Sequence, residues 1–217
     1  MSVAFICGSP KKSRLPSTSL MLLDRLRGLL DQSEEILSVT GANNFEEISP
    51  QRIASSRALI FSWPLYVDGL PAWLLSYLET LAETIVSGHL QQAGRVYALV
   101  NCGFYEARLN LPAVRGLKLF AKTVNLNWGQ ALALGGGGMY SSLPSGVAAG
   151  PWPFGRLTRA LKILGQNIKV SRSGEDLLVE PSLPPWLYAF MANQRWRLMA
   201  LKAGVFGKLK DKCPEVK

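Results

Sequence analysis

Five short runs of mostly apolar residues constrain the fold more than any other feature of the sequence. Four of them are apolar without alternation, which is typical of buried parallel strands, and the second is more polar and suits the edge of a sheet. The runs are Val3–Cys7, Glu35–Val39, Ala58–Trp63, Val96–Asn101 and Ala131–Gly135.

Helical patterns separate these runs. The clearest spans Pro71–Ser87 and places Leu74, Leu78, Leu81 and Ile85 on one face. A second follows the first predicted strand and likewise places Leu22, Leu26, Leu29 and Leu30 on one face. Ser49-Pro50 is a helix N-cap followed by a first-turn proline, and another helix is expected to begin near Phe154. Strands that alternate with helices predict an open α/β sheet of five parallel strands, in the order 2-1-3-4-5, with helices on both faces.

In such a sheet, ligands bind beyond the carboxyl ends of the strands, where the strand order reverses. The loops 8–19, 64–69 and 101–106 are therefore expected to form the site. The first of them leaves a buried strand and enters a helix, so its hydroxyls and free N–H groups favour an anion such as phosphate. The alternative is that Ser17 or Thr18 only caps the helix and that the lysines are solvated.

The sequence of the same loop argues against three other kinds of phosphate site. It lacks both the GxxxxGK[ST] pattern of ATP-binding loops and the GxGxxG pattern of dinucleotide-binding folds. A thiolate phosphatase needs an arginine six positions after its cysteine, whereas Cys7 and Arg14 are seven positions apart.

Two sets of residues carry a resemblance to a known family. Gly8-Ser9-Pro10 with Ser17-Thr18-Ser19, and Pro64-Leu65-Tyr66 after the third strand, resemble the NAD(P)H-dependent FMN reductase branch of the flavodoxin-like superfamily over roughly residues 1–170. The resemblance implies a flavodoxin-like fold. It also implies FMN-binding residues, with Ser17 standing where the family has asparagine: Ser9, Lys11, Ser17, Thr18 and Ser19 for the phosphate, Pro64, Leu65 and Tyr66 along the isoalloxazine ring, and Asn101, Gly103, Tyr105 and Glu106 near its pyrimidine edge.

The family implies an oxidoreductase that uses FMN to pass electrons from NADH or NADPH to a small acceptor such as a quinone or a flavin. Because the cofactor performs the hydride chemistry, no acid–base pair is needed, and we assign no catalytic residue. The alternatives are a flavodoxin-like electron carrier, or a protein that binds a membrane or nucleic acid. Gly135–Gly138 is expected either to let backbone pass close to the ligand or to form a mobile loop.

The cysteines, the histidine and the N-terminal residues argue against disulfide, metal and thiol-nucleophile sites and against secretion. Cys7, Cys102 and Cys213 form no CxxC pair, so neither a disulfide framework nor a zinc or iron–sulfur site is predicted, and Cys102 is interpreted as a packing residue rather than a nucleophile. His89 is the only histidine and receives no metal role. The N-terminal run lacks the features of a secretory signal, which predicts a cytoplasmic protein.

The C-terminal region is unusually basic. The chain has a net charge of +9, and residues 181–217 hold seven Lys or Arg against Asp211 and Glu215. We predict a flavodoxin-like domain over 1–180 and a basic helical extension over 181–217, with a helix from Pro185 to about Lys208 that has two apolar sides. For the second side we favour a homodimer contact over a membrane surface, and we expect no nucleic-acid partner.

Overall fold

A computed structural model describes residues 2–11, 17–30, 34–40, 49–88, 94–140 and 154–208. Arg14, His89 and Cys213, which the sequence analysis singled out, lie outside the described residues. The chain divides into two compact units, Met1–Ser182 and Leu183–Lys217, which are described separately.

The first unit is built on a parallel sheet of six strands. The strands are β1 (Ser2–Cys7), β2 (Glu35–Thr40), β3 (Ala58–Pro64), β4 (Arg95–Asn101), β5 (Asn127–Leu134) and β6 (Leu177–Val179). They lie in the order β2-β1-β3-β4-β5-β6. The predicted order of the first five is confirmed, and the expected count of five is one short, because β6 pairs in parallel with β5 at the edge of the sheet.

Helices cover both faces of this sheet. They are α1 (Thr18–Arg27), α2 (Pro50–Ala54), α3 (Ala72–Ser87), α4 (Leu111–Thr123), α5 (Gly137–Tyr140) and α6 (Gly155–Lys169), with a 3₁₀ turn at Ala107–Asn110. One apolar core lies between the sheet and α2, α3 and α4. A second core lies on the opposite face, under α1, α5 and α6.

The helical patterns in the sequence place the right side chains in these cores. Leu74, Leu78, Leu81 and Ile85 of α3 are buried, which confirms the predicted face of the helix. Leu22, Leu26 and Leu30 are buried at α1, and Leu29 is half-buried. Ser49 caps α2 as expected, since its Oγ accepts a hydrogen bond from the N–H of Arg52 at 3.3 Å.

Over its described residues, 183–208, the second unit contains one long helix, α7 (Pro185–Lys202), and a 3₁₀ turn at Phe206–Lys208. The prediction of a helix to about Lys208 is wrong, because Gly204 takes a left-handed conformation with φ of 70°. The N–H of Gly204 donates to Leu201 O and the N–H of Val205 donates to Ala200 O, which is the paired pattern of a Schellman helix terminus. Among the described residues, no helix is both long and apolar enough to cross a membrane.

Candidate functional site

Backbone hydrogen bonds join the three loops that the sequence analysis selected. The N–H of Gly8 donates to Ser62 O at 2.6 Å, so the start of the first loop is tied to β3. The N–H of Leu65 donates to Asn101 O at 2.7 Å, which ties the loop after β3 to the end of β4. The strand order reverses between β1 and β3, as ligand binding in this type of sheet requires.

Two serines at the first loop accept hydrogen bonds from backbone N–H groups. Ser17 caps α1 by accepting a hydrogen bond from the N–H of Leu20 at 3.4 Å. Ser9, which is buried, accepts one from the N–H of Lys11, also at 3.4 Å. A serine hydroxyl that accepts a hydrogen bond can still donate its own proton. The capping interpretation of Ser17 is therefore confirmed, and capping leaves the hydroxyl able to meet an anion.

Thr18 and Ser19, the next residues of the predicted phosphate site, are turned toward the protein. The hydroxyl of Thr18 is buried and donates to Gly137 O at 2.8 Å. Ser19 is also buried, and its Oγ accepts a hydrogen bond from Asn101 Nδ2 at 2.9 Å. The hydroxyl of Thr18 is therefore already used within the protein. Its backbone N–H lies in the first turn of α1, where N–H groups have no acceptor within the helix, and could donate to a ligand.

Asn101 connects all three loops. Its Nδ2 donates to Ser19 Oγ at 2.9 Å and to Trp63 O at 3.1 Å, and its backbone oxygen accepts from Leu65. The side chain is buried. A Cβ at Gly137 would lie 2.8 Å from Asn101 Oδ1, so this glycine is needed for the close packing. Asn101 thus positions the loops, and the structure gives it partners within the protein at both donor hydrogens.

The loop after β3 combines a buried anchor with an exposed aromatic ring. Trp63 is fully buried, Pro64 and Leu65 are half-buried, and Tyr66 is 46% exposed. Trp63 is therefore a core residue, whereas the ring of Tyr66 lies outside the core. The chain turns back directly after Tyr66, whose N–H and carbonyl both pair with Gly69.

This turn contains backbone strain. Val67 and Asp68 have φ of 44° and 58°, a region that L residues rarely adopt, and that is least favourable for β-branched valine. Val67 is fully exposed, so no side-chain packing stabilises this conformation. Strain of this kind is found most often at ligand-binding segments.

The loop after β4 is held against the glycine run that follows β5. The N–H of Gly136 donates to Phe104 O, and that of Gly137 donates to Cys102 O. A Cβ at Gly135 would overlap the carbonyl of Tyr105. The close backbone approach expected of Gly135–Gly138 is therefore made to the neighbouring loop. Gly103, Phe104 and Glu106 are exposed, and Tyr105 is half-buried.

Both described cysteines are packing residues. Cys7 and Cys102 are buried, and burial raises the pKa of each thiol above its ordinary value. Asn110 Nδ2 also donates to Cys102 Sγ at 3.4 Å. A nucleophilic thiolate needs a lowered pKa, so the structure agrees with the rejection of a thiolate phosphatase and of a catalytic Cys102.

Sequence reasoning did not select Phe104 of this edge. Phe104 is 60% exposed between two residues that were selected, and its aromatic ring was the available signal. Gly137 belongs to the glycine run that the sequence did single out, but its hydrogen bond from Thr18, 119 positions away, leaves no local pattern.

Comparison with known proteins identifies the fold. No protein-family model and no curated protein matches the sequence. Solved structures do match: a Trp repressor binding protein from Bacillus subtilis at 16% identity and a TM-score of 0.55, over 75% of this chain and 97% of that chain. An NAD(P)H:quinone oxidoreductase from Methanothermobacter marburgensis matches at 15% identity and a TM-score of 0.52, over 78% and 97%.

A flavodoxin from Streptococcus pneumoniae TIGR4 matches at 11% identity and a TM-score of 0.50, over 78% of this chain and 99% of that chain. The three neighbours have TM-scores of 0.50 to 0.55 with this chain, which indicates a shared fold. The chain therefore has a flavodoxin-like fold, as the resemblance implied.

Proposed function

We propose that the chain is an FMN-dependent oxidoreductase that passes electrons from NADH or NADPH to a small acceptor such as a quinone or a flavin. The observation that carries the proposal is the polarity of the hydrogen bonds at the start of α1. Ser9 and Ser17 accept from the backbone, so each hydroxyl can donate its proton to an anion, and the first helical turn contains no acidic residue.

The residues present fit a phosphate ester. A phosphate dianion only accepts hydrogen bonds, so it needs O–H and N–H donors and a positive potential. Ser9, Ser17 and the N–H groups of the first turn of α1 supply the donors, and the exposed Lys11 adds a positive charge. Ser19, held by Asn101, fixes the first turn against β4.

The loops after β3 and β4 fit a flat ring. Tyr66 and Phe104 are exposed aromatic residues on two neighbouring loops, and the Leu65–Asn101 hydrogen bond keeps those loops together. Bound FMN would supply the hydride and electron-transfer chemistry itself. The protein's part is to hold the ring in place and to shield one of its faces from water. A neighbour of the same fold is named an NAD(P)H:quinone oxidoreductase, which supports this assignment.

A charge substitution at the helix cap tests the phosphate site. Ser17→Asp and Ser17→Asn both keep a good N-cap, so α1 is preserved in each. The carboxylate repels the phosphate, and we expect FMN to bind at least tenfold more weakly to Ser17→Asp, on the order of 2 kcal/mol. Ser17→Asn should bind FMN at least as well as the wild type. Titration with FMN, followed by its fluorescence, measures both affinities.

Riboflavin is the matched ligand, because it has the same ring and no phosphate. Its affinity should be equal in the two variants, and an equal loss for riboflavin would place the effect outside the phosphate site. Protein that stays colourless after incubation with FMN would contradict the proposed function as a whole. Protein that binds FMN but does not oxidise NADH or NADPH, and accepts electrons from a separate reductase, would be an electron carrier instead.

A further inference from the structure

The helix α7 exposes large apolar side chains around its whole circumference. Ala200 is its one buried residue. Trp186 is 70% exposed and Trp196 is 67% exposed. Further exposed residues of this unit are Phe190, Met191, Leu198, Met199, Leu201, Val205 and Phe206. So large an exposed apolar surface marks a site of interaction.

The charges of this segment all have one sign. From Leu183 to Lys208 the chain contains four basic residues and no aspartate or glutamate. On the helix, Arg195 and Lys202 separate the two apolar faces along one side, and Arg197 lies between them on the other. Each apolar face is therefore bordered by cations.

The charge pattern favours an anionic surface over a second copy of the helix. In a symmetric contact, Arg197 and Lys202 would meet the same cations on the partner, and residues 183–208 contain no aspartate or glutamate. An anionic phospholipid surface neutralises these cations, and long basic side chains reach its headgroups while their stems stay apolar. Tryptophan also favours the boundary between headgroups and hydrocarbon.

We propose that α7 binds an anionic phospholipid surface and lies in the interface with its exposed tryptophans inserted. The three cations along the helix keep it at the surface rather than across the hydrocarbon core. The proposal is independent of the proposed redox function, because the contact needs neither FMN nor a nicotinamide.

Vesicle binding by the full chain tests it. Vesicles of phosphatidylcholine, with and without roughly a third phosphatidylglycerol, are sedimented with the protein. We expect binding to the anionic vesicles, weak or no binding to the neutral ones, and release as the salt rises from about 0.1 M to about 0.5 M. Equal absence of binding to both kinds of vesicle would overturn the proposal.

A pair of charge reversals locates the contact. Each basic residue near an anionic surface strengthens binding roughly fivefold, so Arg197→Glu with Lys202→Glu should weaken binding about thirtyfold or more. Arg115→Glu with Lys122→Glu in α4 changes the net charge equally at two exposed positions, and should weaken binding far less. Circular dichroism and thermal unfolding check that both variants fold. Equal weakening in the two variants would overturn the assignment to α7.

The tryptophans provide a second readout. Insertion shifts their emission to shorter wavelength, and Trp186→Ala with Trp196→Ala should remove most of the shift that anionic vesicles cause. Sedimentation equilibrium without lipid measures the competing outcome. A stable dimer that Arg197→Glu with Lys202→Glu dissociates or strengthens, without vesicle binding by the wild type, would make α7 an interface between copies of the chain.

Discussion

The helices α3 and α7 are similar in length and both follow a proline, yet their apolar residues differ in arrangement and exposure. In α3, Leu74, Leu78, Leu81 and Ile85 form one buried face, and Glu79 and Glu83 are exposed. In α7, apolar residues lie on two sides and are mostly exposed. Both helices contain many apolar residues, so the number of apolar residues does not explain the difference. Their arrangement on the helix decides which of the two builds a core.

The largest expected effect is a difference between leucine truncations in the two helices. Leu81→Ala removes a fully buried side chain from the core under α3 and should lower the free energy of unfolding by about 3 kcal/mol. Leu198→Ala removes a side chain that is 58% exposed and should change it by less than about 0.5 kcal/mol. Urea denaturation of the two variants measures both values. Comparable losses would mean that α7 contributes to the core, and would break the comparison.

An intermediate effect is expected at alkaline pH. Burial raises the pKa of Tyr77, in α3, and of Tyr97, in β4, to about 12. In the unfolded chain a tyrosine ionises near pH 10. The folded state therefore holds these protons more tightly. The stability they contribute is complete below about pH 10 and is lost as the pH rises toward about 12.

Denaturation at a series of alkaline pH values, with tyrosine ionisation followed by ultraviolet absorbance, measures this loss. Tyr77→Phe cannot ionise and should reduce the pH dependence while it keeps the ring in the core. A stability that stays constant from about pH 10 to about pH 12 would show that neither phenol is held in its neutral form.

The smallest expected effect lies in the chain that leads into α3. Val67 has φ of 44°, and asparagine adopts this region more readily than valine. Val67→Asn should therefore raise the free energy of unfolding by about 0.5 to 1 kcal/mol. Val170→Asn is the matched control, because Val170 is also exposed but has φ of −93°. A gain no larger at Val67 than at Val170 would show that the turn stores no strain.

Local sequence patterns predicted most of the first unit. The face of α3 and the cap of α2 depend on residues within a few positions of each other, so their periodicity and capping residues were sufficient to predict them.

The start of β5 was predicted too late. β5 begins at Asn127, four positions before the predicted start, because Arg95 and Val96 of β4 pair with Asn127 and Trp128. The first residues of β5, Asn127–Gln130, are mostly polar or aromatic, so their sequence does not resemble that of a buried strand.

β6 was missed because it is short and is stabilised by distant partners. Its three residues pair with Leu132–Leu134 of β5. The preceding Asp176 accepts hydrogen bonds from the N–H of Ala131 and from Lys118 Nζ. A run of three residues has no periodicity to detect, and a pairing across more than forty positions leaves no local pattern.

The candidate site was likewise predictable from the sequence only in part. The sequence placed three loops at one edge of the sheet, since the order of strands and helices determines where the carboxyl ends meet. Which groups face a ligand was decided by tertiary hydrogen bonds. Asn101 joins Ser19 to Trp63, and Thr18 is bound to Gly137. For α7, the sequence determined the two apolar sides and the single sign of charge, and the left-handed Gly204 determined where the helix ends.

The sequence by itself thus determined the alternation of strands and helices, the order of the first five strands and the position of the loop 8–19 at the carboxyl edge of the sheet. These depend on periodicity, capping and chain direction, which act over a few residues or follow from topology. Only the tertiary structure decided the sixth strand and the hydrogen-bond partners of Thr18 and Ser19 at the start of α1. Both depend on partners that are far apart in the chain and that meet only when the sheet has formed.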